Sequence, residues 1–363
     1  MRAASQRTPS LWLTAVLAIL LLACGPGADP SVESVDQVAP VEQAGAVTEP
    51  SPHGERLDES DTPTAPDGAR GQAGSAWRQG TPAPLPLTEV AAAPFAGGAW
   101  TAGGLDAQGA AVSSVQVYDL TFDAWSEGPA LPRAVHHSAL VAAGDRLYLL
   151  GGYEGSGFDA PTAEVAVLEA SSGQWQPAPS LPEARAAGAA AWDGQRLVYA
   201  GGVGPDGPVG DVWALEDGNW TVLGKLSQPR EHLAAASDGA GSVWLLGGRV
   251  GGLDTNLATV ELVQGGEVVA AGTLPTARGG VSGFYAGPGI GACAVGGEQP
   301  TGTFAAVECV DAQGKTTVLA DLTVPRHGTG AAVLDGMALV LLGGPEPGLS
   351  TSGAVELLHL NPR

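Results

Sequence analysis

The sequence predicts an all-β fold assembled from six repeated units, and three observations carry that prediction. Glycine pairs return every 46 to 50 residues, at Gly103-Gly104, Gly151-Gly152, Gly201-Gly202, Gly247-Gly248, Gly296-Gly297 and Gly343-Gly344. Five of them close an apolar run: Leu147–Leu150, Leu197–Ala200, Val243–Leu246, Ala292–Val295 and Leu339–Leu342. Sixteen to eighteen residues before these five pairs stands an arginine: Arg133, Arg185, Arg230, Arg278 and Arg326. A fixed period of this length marks units that bury their apolar faces against their neighbours. Apolar runs this short, bounded by Gly and Asp, read as strands buried on both faces and not as helices.

Within a unit the elements follow in order. The arginine loop leads into a first strand, and the apolar run before the doublet is the second. About fifteen residues after the doublet comes a third, such as Val115-Gln116-Val117-Tyr118-Asp119 or Val165-Ala166-Val167-Leu168-Glu169. A fourth, shorter segment carries Trp125, Trp175 or Trp220 in the first three units. Four short strands with turn chemistry between them make an antiparallel meander.

The pattern resembles the kelch repeat, through Pro132-Arg133, Pro229-Arg230 and Pro325-Arg326, the glycine doublets, and Tyr118-Asp119 followed by Trp125. The resemblance covers residues 75–363. It implies that each unit is a propeller blade and that the whole is a six-bladed kelch-type β-propeller. The first unit departs from the pattern, with Thr88-Glu89 where the arginine belongs, and the last three units lack the tryptophan. The last unit also lacks a fourth strand before the chain ends at Arg363. Upstream, Ser75-Ala76-Trp77-Arg78-Gln79 followed by a Pro-rich stretch imitates Trp125 through Pro132. Residues 75–80 are therefore expected to supply the outer strand of the last blade, paired with 354–360, so that the ring closes without an exposed edge.

The N-terminus predicts an address and a tether. Arg2 and Arg7 precede a short apolar stretch, Leu11 to Ala23, too brief to span a bilayer and built like a secretory signal over residues 1–23. Its Leu21-Leu22-Ala23-Cys24 ending resembles the bacterial lipobox, which implies lipidation of Cys24, an exported lipoprotein and a membrane contact through the lipid. Gly25 stands where the enteric inner-membrane retention pattern has Asp, so analogy suggests the outer membrane. Residues 24–74 read as a disordered acidic linker. Residues 25–74 carry ten carboxylates against two arginines and no periodic apolar run. A flexible chain of that length spans roughly 35–45 Å.

Composition excludes some partners. With a net charge of -22 and two lysines, Lys225 and Lys315, the chain offers no basic patch for nucleic acid or anionic headgroups. Two cysteines follow Cys24. A register that sets Val295 opposite Val307 also sets Cys293 opposite Cys309, and an exported compartment permits the bond. The Cα separation would then be about 4.4–6.8 Å. Two buried thiols are the alternative.

No catalytic constellation, metal-ligand spacing or cofactor motif stands in the sequence. What remains is a face. In an antiparallel four-strand blade, the loop leading into strand one and the loop joining strands two and three emerge on the same side. The first loop type carries Arg133, His136, Arg230, Glu231, His232, Arg278, Arg326 and His327. The second carries Tyr153, Glu154, Phe158, Arg249 and Glu298. In propellers that this one resembles, partners bind there. The expected function is a noncatalytic recognition or scaffold module at the envelope that binds a protein or glycan, with Tyr153, Phe158 and Arg249 as contact residues. The alternative is a carbohydrate-active enzyme resembling the six-bladed sialic-acid mutarotases, with Arg133, Arg230 and Arg278 holding a sugar carboxylate and Glu231 or His232 moving protons. It requires two arginines and a carboxylate converging within about 4–6 Å.

Overall fold

A computed structural model describes residues 76–360. The signal segment 1–23, the lipidation of Cys24 and the linker 24–74 lie outside the described residues.

Residues 76–360 form six four-stranded antiparallel sheets, arranged as the blades of a propeller. The first blade runs Ala91–Phe95, Gly98–Ala102, Val115–Asp119 and Ala124–Glu127. The innermost strands of neighbouring blades touch around a closed ring, the sixth against the first. Those six strands are small-residue sequences such as AAAPF, ALVAA and GAAVL, because they converge on the axis. A Cβ on Gly330 would stand 2.4 Å from the Cβ of Ala92, so no larger side chain fits there. The core is divided accordingly into six apolar clusters, each drawn from two adjacent blades.

The ring closes with strands from both ends of the repeat region. Arg78–Gln79 is the outermost strand of the sixth blade, with Arg78 opposite Leu357 and Gln79 opposite Glu356. Trp77 beside it is buried and donates its indole N–H to the carbonyl of Ala320, at 2.7 Å. Trp125, Trp175 and Trp220 do the same to Thr81, Pro129 and Pro179. Each tryptophan thus fastens its outer strand to the segment leaving the preceding blade.

The arginine slot is defined by the backbone. In five units it lies four residues after a buried leucine (Leu131, Leu181, Leu226, Leu274 or Leu322), and its carbonyl accepts a hydrogen bond from the second glycine of the preceding doublet. The occupants are Leu87, Val135, Arg185, Arg230, Arg278 and Arg326. Two expectations are corrected by this. Arg133 stands two residues before the slot, and the first unit fills the slot with Leu87 rather than with Thr88-Glu89. In the sixth unit the doublet itself shifts: Leu342 (φ 59°) and Gly343 (φ 97°) adopt the left-handed conformations that paired glycines take elsewhere.

The buried arginines are paired inside their own blades. Arg230–Glu261, Arg278–Glu308 and Arg326–Glu356 each close at 2.5 Å. Arg185 reaches Glu183 and Asp211, and its guanidinium lies 4.5 Å from the Trp213 ring centre. The glutamates also accept backbone N–H groups of the loop, as Glu356 does from Thr323 and Val324. The first blade has no arginine in the slot, and Gln116 stands in the glutamate position, still accepting the N–H of Leu85. The third blade has Trp213 at that position, and Arg185 takes its carboxylates from Glu183 and Asp211 instead.

Strands Ala292–Val295 and Val307–Val310 pair with Cys293 opposite Cys309. The two sulfurs are bonded, and the Cα atoms lie 3.8 Å apart, closer than the expected range.

Candidate functional site

Immediately after the arginine slot, the loops leading into strand one build a ring around the axis. Glu89, His137, Ala187, His232, Gly280 and Gly328 are equivalent positions, all in the left-handed region with φ between 52° and 69°. Their backbones are linked head to tail: His137 N–H to Glu89 O, Ala187 to His137, His232 to Ala187, Gly280 to His232, Gly328 to Gly280, and Val90 N–H to Gly328 O. The ring fixes where the six side chains start. Three of them carry chemistry, and the other three positions are Ala or Gly. The glycines make room: a Cβ on Gly328 would stand 2.7 Å from Oε1 of Glu89.

One residue earlier in each loop, bridges to the loop after the doublet tie the two loop types to one face. They pair Thr88 with Leu105, His136 with Tyr153, Ala186 with Val203, Glu231 with Arg249, Gly279 with Glu298, and His327 with Gly344. These loops wall a bowl of about 370 Å³. Its floor is Glu89, His137, His232, Glu231, Arg249 and Glu298, and its apolar wall includes Tyr153, Phe158, Val203, Leu253 and Leu349. Glu89, His137 and His232 also line a second cavity of about 80 Å³ deeper along the axis, so they form the partition between the two.

The floor is an ordered electrostatic network. Arg249 bridges Glu231 (2.9 Å) and Glu298 (2.7 Å). His327 Nδ1 faces Oε1 of Glu89 at 3.1 Å, while its Nε2 faces the Glu346 carbonyl at 3.1 Å. Acceptors on both sides favour the charged form of His327. Burial opposes that charge, but Glu89, with Glu298 behind it, raises the pKa above the ordinary histidine value. For Glu89 burial acts upward and is overcome by the surrounding histidines, which hold the carboxyl well below its usual range.

The other imidazoles go the opposite way. Burial lowers the pKa of His137 and, further, of His232, where Arg249 adds to it; His136 falls to about 4, through burial and then His137. Neutral rings fix the tautomers. The carbonyl of Gly157, 3.0 Å from His136 Nε2, can only accept, so His136 carries its proton there and its Nδ1 accepts. Its neighbour at 2.6 Å, Nδ1 of His137, must then be the donor. The remaining nitrogen of His137, Nε2, faces Oε2 of Glu89 at 3.2 Å.

The residues expected on this face divide in four. Tyr153, Phe158, Glu231, His232, Arg249 and Glu298 line the bowl. His136 and His327 are buried behind it. Arg230, Arg278 and Arg326 are corrected from face to interior: all are fully buried in their blade ion pairs, because each guanidinium satisfies a strand-three glutamate. Arg133 and Glu154 lie at the side, joined in a partly exposed ion pair of 3.0 Å, with Glu164 as the second partner of Arg133. Among the described residues Arg249 is the one arginine that lines the bowl, so the two arginines expected for a sugar-acid enzyme are not brought together there. Glu89 and His137 were missed as site residues. Aligning the units on Leu131, Leu181, Leu226, Leu274 and Leu322, instead of on arginine, places His137 at the position of His232; the first unit has Ala83 in place of the leucine, which hides Glu89.

Comparison with known proteins agrees with the repeat. The chain is 28% identical over 267 residues to Kelch-like protein terF of Aspergillus terreus, covering 68% of this chain and 58% of that protein. It is 49% identical over 57 residues to human Kelch-like protein 34, covering 15% of this chain and 9% of the relative. The chain thus spans less than two thirds of the length of either relative. No family model matches it. The similarities and the six-bladed geometry together support a kelch-repeat propeller.

Proposed function

We propose that this protein is an envelope-anchored, noncatalytic recognition module that takes a protein partner on the bowl face. One observation carries the reading: an apolar rim stands exposed around a charged, pre-organised floor. Phe158 and Leu349 are 53% and 51% exposed although both line the bowl. Large apolar side chains left in water around a concavity mark interaction sites, and aromatic anchors carry much of the binding energy at such sites. The floor residues do not repeat from blade to blade, as expected of groups placed for a ligand and not for the fold. The lipobox-like Cys24 and the acidic linker support attachment to a membrane, with the body held off its surface.

The same molecule supplies a matched control. Phe122 is 78% exposed in the turn between strands three and four of the first blade, hence on the opposite face. Full-length protein carrying Phe158→Ser and Leu349→Ser should lose its partner in affinity capture from the producing cells, while Phe122→Ser should retain it. Equal capture by both variants would overturn the binding-face assignment. Fatty-acid labelling that persists in Cys24→Ala would overturn the anchor.

A further inference from the structure

The side chains at the partition are arranged as ligands. We propose that Glu89, His137 and His232 form a divalent transition-metal site of the zinc class, with its open coordination position facing the bowl. The three residues each offer a donor atom, and these atoms lie within 4.8 Å of one another. Oε2 of Glu89 and Nε2 of His137 face each other at 3.2 Å. An ion bound at about 2.0–2.2 Å to nitrogen and oxygen donors fits across such a gap. The His137 and His232 rings meet edge to face with centres 4.8 Å apart, bringing the third donor to the same point.

Each ligand also has a partner that orients it. Nδ1 of His232 faces the carboxylate of Glu231, leaving Nε2 for the metal. Nδ1 of His137 is held by His136. Oε1 of Glu89 is held by His327, leaving Oε2. Carboxylate and hydrogen-bond partners of this kind fix ring orientation in metal sites. A second grouping, Glu89 with Glu298 and His327, is also close enough, but it offers one imidazole where the first offers two, and Nε2 of that ring already faces the Glu346 carbonyl. The left-handed backbone supports a purpose beyond folding: a non-glycine residue there is strained, and Gly280 and Gly328 show that the ring forms without side chains. Two histidines and one carboxylate leave a position for water or for a donor atom of whatever occupies the bowl.

The site stands independently of the partner reading, since metal uptake is measured with no partner present. Full-length protein stripped by chelator and titrated with Co²⁺ should take up one ion per chain, with the intense visible absorption of a four- or five-coordinate site, and Zn²⁺ should displace it. Glu89→Gln and His232→Ala should abolish uptake, and Glu231→Gln should weaken it about 10–100-fold. His53→Ala, in the linker, should leave it unchanged. Near-UV circular dichroism confirms that each variant is folded. If one is not, Zn²⁺ should still raise the melting temperature of the unmodified protein by mass action. Absence of stoichiometric uptake by the unmodified protein overturns the proposal. So does uptake that persists in Glu89→Gln and His232→Ala.

Discussion

Two layers of the same six loops, two residues apart, have opposite characters. At the arginine slot the occupants repeat: four of six are fully buried arginines, and three of those close on a glutamate of their own blade. At the axial ring, the left-handed backbone repeats in all six units, yet the side chains are Glu, His, Ala, His, Gly and Gly. In the first layer residue identity tracks its structural partner, since Gln116 replaces glutamate where the slot holds Leu87. In the second layer nothing in the fold demands the side chain. In a repeat protein, agreement between units marks what holds the blades, and divergence at one backbone position marks what the molecule does.

The comparison breaks most sharply at Arg278. Replacing it with leucine strands Glu308 in the interior and should cost about 3–5 kcal/mol, read by denaturant unfolding. Adding Glu308→Gln recreates the arrangement native to the first blade and should recover most of that loss. If the double variant is no better than the single one, the pair is not self-contained. Trp77→Ala comes next. It should cost about 3 kcal/mol by emptying a buried site and freeing the outer strand of the sixth blade. Trp77→Phe should cost about 1 kcal/mol, the net worth of its bond to Ala320. Reducing Cys293–Cys309 tests whether features found in one blade alone also hold the ring. Loss of the cross-link should lower stability by about 3 kcal/mol in the chain-entropy model. Two titratable thiols in the denatured, unreduced protein would show that the bond is absent.

Much of the fold was legible because its causes are local and recur. The doublets are read from sequence since their left-handed backbone selects glycine, and Trp77 could be matched to Trp125 since each meets a carbonyl just past the outer strand of the preceding blade. Legibility failed where the chain substitutes one solution for another. Leu342 takes a conformation that its repeat assigns to glycine, so the sixth doublet was read one residue late. Arg133 imitates the slot residue but pairs with Glu154 and Glu164 in partial contact with solvent. The axial cluster was hidden for another reason. Its members come from three blades, 48 and 95 residues apart, and only the closed ring brings them together.

A smaller effect separates the layers by pH. His136, His137 and His232 have folded-state pKa values below the ordinary 6.5, His136 at about 4, so the unfolded chain binds more protons between those values. Stability therefore falls as pH drops from 6.5 toward 4. His327, raised by its carboxylate partners, acts in reverse: its contribution is complete below 6.5 and fades as pH rises through its folded value. Three lowered groups against one raised group predict a melting temperature lower at pH 5 than at pH 7 in metal-free buffer. A flat profile would mean that the axial imidazoles are not buried in neutral form.

The division between layers is tested most directly by giving the axial ring the residue it already holds in the fifth and sixth blades. Glu89→Gly, His137→Gly and His232→Gly in one chain relieve three left-handed strains while loosening the unfolded state less favourably, two terms of about 1 kcal/mol per residue that oppose each other. The account predicts that equilibrium unfolding of this triple variant lies within about 2 kcal/mol of the unmodified protein, well short of the loss from Arg278→Leu alone, while its pH dependence flattens. A triple variant that loses more stability than Arg278→Leu would show that the axial side chains hold the propeller together, and would contradict the account.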